Sequence, residues 1–237
     1  MAPEPATPVQ IPLDLPFRTA LGRADLIVHA GNETAVQWLA RWPDWPGRVL
    51  ALAGPAASGK SHLANVWATD AGALRLDAGA LTVNAVPDFA GRPVLIEAAD
   101  GIVDEAALFH LINLTREQEG FLLLTARAAP ARWPVALPDL RSRLGAVPVA
   151  RLGLPDEATL SALIAKLLAD RQLTLDARLL DWVVTRIDRT PAAAAALVSA
   201  LDRESLRVGG KLNTALVRRV VSAFSGNEGG GDDGAAP

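Results

Sequence analysis

Cysteine is absent from this chain of 237 residues, and histidine and lysine occur only three times each. Without cysteine the chain can form neither disulfides nor thiolate metal sites, and it has no cysteine nucleophile. The histidines, His29, His62 and His110, are scattered and lack the spacing of a metal-ligand motif. We therefore expect no metal centre built from these side chains.

Runs of about 20 apolar residues, the length that crosses a bilayer, are also missing. Glu4 lies where a signal peptide would carry basic residues. We expect a soluble cytoplasmic protein without membrane contact. The formal net charge of -3 argues against a nucleic-acid backbone as the main ligand, because such binding is driven by clustered lysine and arginine.

What the chain does contain is a strand, loop and helix pattern in residues 48–67, RVLALAGPAASGKSHLANVW. The apolar run from Val49 to Ala53 predicts a short buried strand, and the residues after the loop predict a helix. Between them, four residues fit the phosphate-loop pattern G-x-x-x-x-G-K-[ST], namely Gly54, Gly59, Lys60 and Ser61. A chance match in a chain rich in alanine and glycine is the alternative.

This loop has the chemistry that a nucleotide phosphate requires. Glycines let backbone N–H groups turn inward, and the helix start adds free N–H groups and the positive end of its dipole. Lys60 would neutralise the β- and γ-phosphates, and the Ser61 hydroxyl would hold Mg²⁺. The predicted cofactor is ADP or ATP with Mg²⁺, bound by Gly54, Pro55, Ala56, Ala57, Ser58, Gly59, Lys60, Ser61 and His62.

Short apolar runs alternate with helical patterns in the first two thirds of the chain. Strands are predicted at Leu74 to Leu76, Leu81 to Val83, Pro93 to Glu97 and Phe121 to Thr125, and helices at Asn32 to Trp42 and Asp104 to Glu119. Such alternation indicates a parallel sheet covered on both faces. From Pro155 onward the pattern predicts only helices, four in all, which form a small bundle.

The two ends of the chain differ from the rest in composition. Residues 1–17 are expected to form a flexible arm rich in proline and alanine, and residues 226–237 a disordered acidic tail rich in glycine. The arm ends in an apolar hook from Gln10 to Phe17. Composition leaves open whether this hook docks on a partner or packs Leu13, Leu15 and Phe17 on its own domain.

The acids and arginines that ATP hydrolysis requires are only partly present. Hydrolysis needs a carboxylate that orients Mg²⁺, and usually a second acid that polarises the attacking water. Glu97 ends a predicted strand where the first acid belongs, but Ala98 follows it. A solvated strand end is the alternative for Glu97.

LPDLRSRLG is predicted to be a short segment between the sheet and the bundle, and it places Arg141 and Arg143 two residues apart. These arginines either stabilise charge on a phosphoryl group or are solvated.

The phosphate loop, LPDLRSRLG and the helical bundle together resemble the AAA+ ATPases of the replication-initiator clade. More closely, the chain is similar to DnaA-homologous regulators of the Hda type in their alphaproteobacterial form, over about residues 10–224. The other specific motifs are VHAGN at Val28 to Asn32 and FLLLTARAAP at residues 121–130.

This resemblance implies an α/β fold: a three-layer P-loop AAA+ base domain with a parallel sheet over about residues 18–152, and a small α-helical lid over residues 153–225. It also implies that Asn32 lies at the adenine side of the nucleotide. Gln10, Leu13 and Leu15 match the Q-x-x-L-x-[LF] peptide that grips the DNA polymerase sliding clamp, which favours docking for the hook. Arg143 matches an arginine finger that acts in trans. The implied function is a nucleotide-bound regulator that promotes ATP hydrolysis by the replication initiator DnaA and so prevents re-initiation.

Three positions depart from the family pattern. Ala98 replaces the second acid, which leaves Glu97 as a degenerate Walker B residue. Arg127 lies where initiators carry an acidic first sensor, and Ala192 lies where the lid's second-sensor arginine is expected. We therefore expect weak or no intrinsic ATPase activity, and no direct sequence-specific DNA binding. The alternatives are an AAA+ remodeller or helicase loader that acts alone, and a non-hydrolysing AAA+ scaffold.

Overall fold

A five-stranded parallel sheet forms the centre of the described part of the chain. The computed structural model describes residues 28–102, 104–207 and 212–226. The strands are β1 (Val49–Ala53), β2 (Leu74–Asp77), β3 (Pro93–Glu97), β4 (Phe121–Ala126) and β5 (Val149–Arg151). Their order across the sheet is β2-β3-β4-β1-β5, and each neighbouring pair is parallel.

Helices cover both faces of this sheet, as the alternating sequence pattern predicts. The described helices are α1 (Glu33–Ala40), α2 (Lys60–Asp70), α3 (Glu105–Glu117), α4 (Pro138–Gly145), α5 (Glu157–Ala169), α6 (Ala177–Val184), α7 (Pro191–Arg207) and α8 (Thr214–Gly226). Apolar residues of α1 and α2 share one core with the sheet, and those of α3 and α4 share the other. The base therefore has three layers.

Strand β1 shows how the two cores are divided. All five of its side chains are buried, because β1 lies between β4 and β5 and is covered on both faces. Val49 and Ala51 belong to the core under α3 and α4, whereas Leu50 and Leu52 belong to the core under α1 and α2. This division follows from the two-residue period of a strand. The continuous apolar run in the sequence is what a doubly covered parallel strand requires.

Helices α5 to α8 form a small helical lid with an apolar core of its own. α5 packs against α6 and α7, and α7 packs against α8. Asp156 caps α5 by accepting a 2.8 Å hydrogen bond from the Thr159 N–H, and Asp176 caps α6 through the Arg178 N–H. Such caps satisfy backbone donors that have no partner inside the helix. The fully buried side chains of this core include Leu160, Ile164, Val183, Ala194, Leu197, Val198, Leu201 and Val217.

The predicted strand from Leu81 to Val83 is wrong. Two 3₁₀ turns, Ala78–Ala80 and Val83–Phe89, enclose this region, and Leu81 is buried in the core under α3. β2 and β3 are parallel neighbours, so the chain between them must cross over a face of the sheet and return to its starting edge. A crossover segment of this kind covers the sheet and does not extend it.

The sequence pattern also misses strand β5, and this changes the place of LPDLRSRLG. β5 has three residues, which is too short for an apolar period to be visible, and among the described strands it pairs with β1 alone. LPDLRSRLG forms α4, which lies between β4 and β5 in the chain. This segment is therefore a helix of the base, not a short connection between the sheet and the bundle as the sequence suggested.

The carboxyl ends of the parallel strands meet at one edge of the sheet. Ala53, Glu97 and Ala126, the last residues of three strands that are neighbours in the sheet, lie at this edge. Ligands of open α/β sheets bind outside such carboxyl ends. The described helices include none that is long and apolar enough to cross a membrane.

Candidate functional site

The phosphate loop leaves the sheet at Gly54, where the backbone is tightly enclosed. The Gly54 N–H donates to the carbonyl oxygen of Ala126 at 3.2 Å. A Cβ atom at position 54 would clash with the carbonyl oxygen of Leu152, well inside van der Waals contact. Only glycine therefore allows β1, β4 and the residue after β5 to approach each other here.

At the other end of the loop, Gly59 turns the chain into α2. Its φ of +92° lies in the left-handed region, which glycine adopts without a steric penalty. Ala57 has a φ of +57°, so the loop also places one non-glycine residue in that region. Ser58 is 2% exposed, and its hydroxyl oxygen has no hydrogen-bond partner within the described structure. The loop is thus curved and held partly under strain.

The ammonium group of Lys60 lies across the start of the loop. Its Nζ donates to the carbonyl oxygens of Gly54 at 2.9 Å and Pro55 at 2.6 Å. Burial lowers the pKa of Lys60, the nearby charge of Asp100 raises it, and the charge of Arg127 lowers it. Lys60 is therefore a partly desolvated cation with an acid and a second cation near it.

Ser61 and Glu97, which the sequence separates by 36 residues, meet at the edge of the sheet. The Ser61 hydroxyl, in the first turn of α2, donates to Glu97 Oε2 at 3.0 Å. Beyond Glu97, Ala98 has a φ of +50° and donates its N–H to the Thr125 hydroxyl of β4 at 3.2 Å. Ala98 is exposed, and its side chain is a single methyl group without a carboxylate.

The VHAGN motif, residues 28–32, lies close to the phosphate loop. Asn32 is 6% exposed, and its Oδ1 accepts a 2.8 Å hydrogen bond from the His29 N–H. The carbonyl oxygen of Gly31 accepts a 2.7 Å hydrogen bond from the N–H of Gly153, one residue after the Leu152 that abuts Gly54. Burial lowers the pKa of His29, and the charge of Asp156 raises it. The motif is therefore anchored beside the phosphate loop.

Arg143 projects from α4 on the other face of the sheet. Leu140 and Leu144 bury one side of this helix, whereas Arg143 is exposed. Its guanidinium makes no hydrogen bond or ion pair with the residues that the structure describes. Because residues two apart on a helix lie about 200° apart around its axis, Arg141 points elsewhere. Arg141 donates to the carbonyl oxygen of Val135.

Glu105, a residue that the sequence analysis does not single out, tethers the segment before α4. Its carboxylate accepts hydrogen bonds from the N–H groups of Ala136 at 2.8 Å and Leu137 at 2.7 Å. These two bonds, more than the nearby charge of Arg141, hold the pKa of Glu105 below its ordinary value. The start of α3 thus fixes the start of the helix that carries Arg143. A contact 31 and 32 residues away in sequence leaves no local pattern that could reveal it.

The structure brings together most, but not all, of the predicted site residues. Lys60, Ser61 and Glu97 share the edge of the sheet, whereas Arg143 lies apart from them. Ala192 is exposed in the first turn of α7, whose start is capped by the Thr190 hydroxyl. The predicted partner-binding residues Gln10, Leu13 and Leu15 lie outside the described residues.

The sheet order, the two covering layers, the loop after β1 and the helical lid define a three-layer P-loop AAA+ fold. Domain III of the replication initiation protein DnaA from Thermotoga maritima is similar in structure, with a TM-score of 0.72 and 18% identity, covering 90% of this chain and 100% of that one. The AMPPCP-bound DnaA from Aquifex aeolicus has a TM-score of 0.63 and 15% identity, covering 81% of this chain and 67% of its own.

A third similar structure is the RuvB Holliday junction branch migration motor of Thermotoga maritima, with a TM-score of 0.60 and 20% identity, covering 74% of this chain and 61% of that one. No protein-family model matches the sequence, and a search of curated proteins finds no match either. At these identities the likenesses show the fold, which confirms the predicted fold class.

Proposed function

We propose that this chain binds ADP or ATP with Mg²⁺ at the phosphate loop and acts as a regulator of the replication initiator DnaA. The observation that carries nucleotide binding is the meeting of Ser61 and Glu97 beside Lys60. A hydroxyl and a carboxylate 3.0 Å apart supply the oxygen ligands that Mg²⁺ prefers. They would hold the metal, which would neutralise phosphate charge, while the remaining ligands come from the nucleotide and water.

Each part of the loop would then have a separate task. The N–H groups at the start of α2 would donate to phosphate oxygens, and the positive end of the helix dipole would favour their charge. Lys60 would exchange its two carbonyl acceptors for the β- and γ-phosphates, which are better acceptors because they are charged. Asn32 and His62 would complete the site, Asn32 on the side of the adenine.

The same site argues for slow hydrolysis by the chain itself. Ala98 offers no carboxylate to polarise water, and Ala192 offers no cation from the lid. The chain would hold its nucleotide while the reacting site belongs to a partner. Turnover well below 1 s⁻¹ is expected for the purified chain, whereas turnover in the usual range of about 1 s⁻¹ or more would favour a remodeller that acts alone.

Arg143 supports a role in trans. Its guanidinium is exposed, carries no partner among the described residues, and lies on a helix that Glu105 and Arg141 hold in place. Arginine binds two oxygens of a phosphoryl group in a fixed fork, so a rigid mount improves its effect. Similarity to DnaA domain III makes the initiator itself the proposed recipient. The clamp would be gripped by Gln10, Leu13 and Leu15.

The proposal is tested in two assays. Calorimetry with ADP and ATP in the presence of Mg²⁺ should show one site per chain, and a chain that binds neither would be the nucleotide-free scaffold. A reconstituted assay with sliding clamp, DNA and ATP-bound initiator should show faster hydrolysis by the initiator when the chain is added. Hydrolysis that the chain leaves unchanged would contradict the regulatory role.

A further inference from the structure

Helix α6 of the lid carries a half-buried tryptophan, Trp182, that lies against two arginines. The guanidinium carbon of Arg186, in the turn after α6, lies 4.3 Å from the centre of the Trp182 ring, and that of Arg218, in α8, lies 5.5 Å from it. Both distances are those of cation–π contacts. Arg186 also donates to the carbonyl oxygen of Trp182 at 3.0 Å. Trp182 therefore joins the end of α6 to one face of α8 at the surface of the lid.

The surface around this tryptophan has an excess of positive charge. Arg178 is exposed and lies four residues before Trp182, on the same face of α6. Arg178 and Arg218 make no ion pair with the residues that the structure describes. Arg219, in contrast, is paired with Glu204 at 3.1 Å. The surface is called the arginine–tryptophan patch below, and it consists of Trp182, Arg178, Arg186 and Arg218.

The patch has the chemistry of a binding surface for a short acidic peptide. Guanidinium groups bind carboxylates through paired, charge-assisted hydrogen bonds. A nucleobase would need the indole ring for stacking, but Arg186 and Arg218 already lie against it. Asp181, the neighbour of Trp182 in sequence, lines the groove between α5 and α6 and so faces away from the patch. The carboxylates that would balance these arginines must therefore come from elsewhere.

An acidic segment follows directly on the helix that carries Arg218. α8 ends at Gly226, and residues 227–237, which lie outside the described residues, include the adjacent acids Asp232 and Asp233 and no basic residue. From Arg218 to Gly226 the helix rises about 12 Å, at about 1.5 Å per residue. The extended chain from Gly226 to Asp232 can span about 20 Å. Both acids can therefore reach back to the patch.

We propose that Asp232 and Asp233 bind the arginine–tryptophan patch of their own chain. Their carboxylates would accept hydrogen bonds from the guanidinium groups of Arg178 and Arg218. Exposed ion pairs of this kind are individually weak. A short tether, however, gives an effective concentration in the millimolar range, at which a contact of about millimolar affinity forms in about half of the molecules. The contact requires neither a nucleotide nor the initiator.

Because the chain has no cysteine, a single spin label can test this contact in the full chain. Ala235→Cys, close to Asp233 in sequence, would carry a nitroxide, which broadens the NMR signals of nearby protons. The indole N–H signal of Trp182, identified by its loss in Trp182→Phe, should be broader than in the same sample after reduction of the label. The indole signal of Trp133, which is buried in the base, should be unchanged.

Charge variants show whether the contact is ionic. Asp232→Asn together with Asp233→Asn should reduce the broadening at least about twofold, since two exposed ion pairs are lost, and Arg218→Gln should reduce it as well. The matched control is Arg92→Gln, an exposed arginine before β3 in the base, which should have no effect. Raising the salt from about 0.1 M to about 1 M shortens the screening length from about 10 Å to about 3 Å and should remove most of the broadening.

Three results would overturn the proposal. A Trp182 signal that the label leaves sharp would mean that the segment does not bind the patch. Broadening that survives both the asparagine substitutions and high salt would mean proximity without ionic binding. Single-stranded DNA that shifts the Trp182 signal of a chain without broadening would assign the patch to nucleic acid.

Discussion

The Ser61 hydroxyl donates a 3.0 Å hydrogen bond to Glu97, joining the first turn of α2 to the end of β3. The sequence context predicts that Ser61 holds Mg²⁺ and that Glu97 is a degenerate Walker B acid, and the fold places the two side chains in contact. The bond also identifies the strand end that faces the loop. The Glu97 side of this contact provides a variant whose effect should depend on the metal.

Removing the charge of the Glu97 carboxylate should weaken ATP binding only when Mg²⁺ is present. Glu97→Gln keeps the shape and an acceptor for Ser61 but loses the charge that attracts the cation, so we expect about a tenfold loss of ATP affinity in Mg²⁺. Affinity measured in EDTA should be unchanged. The control is Glu117→Gln, an exposed acid at the end of α3. Equal effects with and without Mg²⁺ would contradict a role for Glu97 at the metal.

Lys60→Ala should reduce nucleotide affinity at least tenfold. The substitution removes charge-assisted hydrogen bonds to two phosphate groups, each contributing roughly 1.5–3 kcal/mol. Calorimetry with ADP and ATP measures the loss, and Lys166→Ala in α5 is a control that removes the same charge from the lid. Unchanged affinity in the Lys60 variant would show that the loop does not bind phosphate.

Arg143→Ala should abolish stimulation of the initiator but leave nucleotide and clamp binding intact. An arginine supplied in trans accelerates phosphoryl transfer by about 10³-fold or more in related systems, so a loss on that order is expected in the reconstituted assay. Arg143→Lys should restore little of the stimulation, because lysine lacks the planar guanidinium that donates to two oxygens at once. Arg132→Ala, on the exposed turn before α4, is the charge-matched control. Full stimulation by Arg143→Ala would end this hypothesis.

The stability that Glu105 contributes should depend on pH. Its pKa is lower in the folded chain than the ordinary value of 4.5, so the carboxylate stabilises the fold above the unfolded pKa, and this contribution is lost as the pH falls through the folded pKa. Glu105→Gln should therefore melt at a lower temperature than the parent at pH 7. The difference should shrink below about pH 4.5 and vanish in stronger acid. A difference that stays constant with pH would show that charge is not involved.

The hook is tested by a triple substitution. Changing Gln10, Leu13 and Leu15 together to alanine should eliminate clamp binding, since each buried leucine contributes roughly 1.5–3 kcal/mol to docking of a short peptide. Surface plasmon resonance on immobilised clamp measures the loss. Val9→Ala, outside the motif, serves as the control. Clamp binding that survives the triple change would assign the hook to the chain's own domain.

The sequence predicts the phosphate loop well because everything that defines it is local. A buried strand, two glycines and a helix start lie within about 20 consecutive residues, and periodicity alone separates them. The caps at Asp156 and Asp176 are readable for the same reason. Doubly covered strands such as β1 and β4 are also visible, as apolar runs without alternation.

The features that escape prediction depend on distant contacts. β5 is a strand only because β1 lies beside it, and the segment after β2 is a crossover only because β3 is parallel to β2. The Asp100 bond to Arg127 and the Glu105 bonds to the α4 segment span about 30 residues. No period, cap or turn signal encodes such pairs, so they require the fold.

The close approach at Gly54 has a mechanical consequence for the lid. The carbonyl oxygen of Leu152 lies against Gly54, and the Leu152 N–H donates to the carbonyl oxygen of Ala53. The N–H of the next residue, Gly153, donates to the carbonyl oxygen of Gly31. α5 begins only five residues after Leu152, at Glu157. The segment that leads into the lid therefore lies between the phosphate loop and the VHAGN motif and contacts both. Because this segment is short, a movement of the loop would be passed on to α5. A displacement of the loop by the width of a methyl group would press directly on the chain that carries the lid.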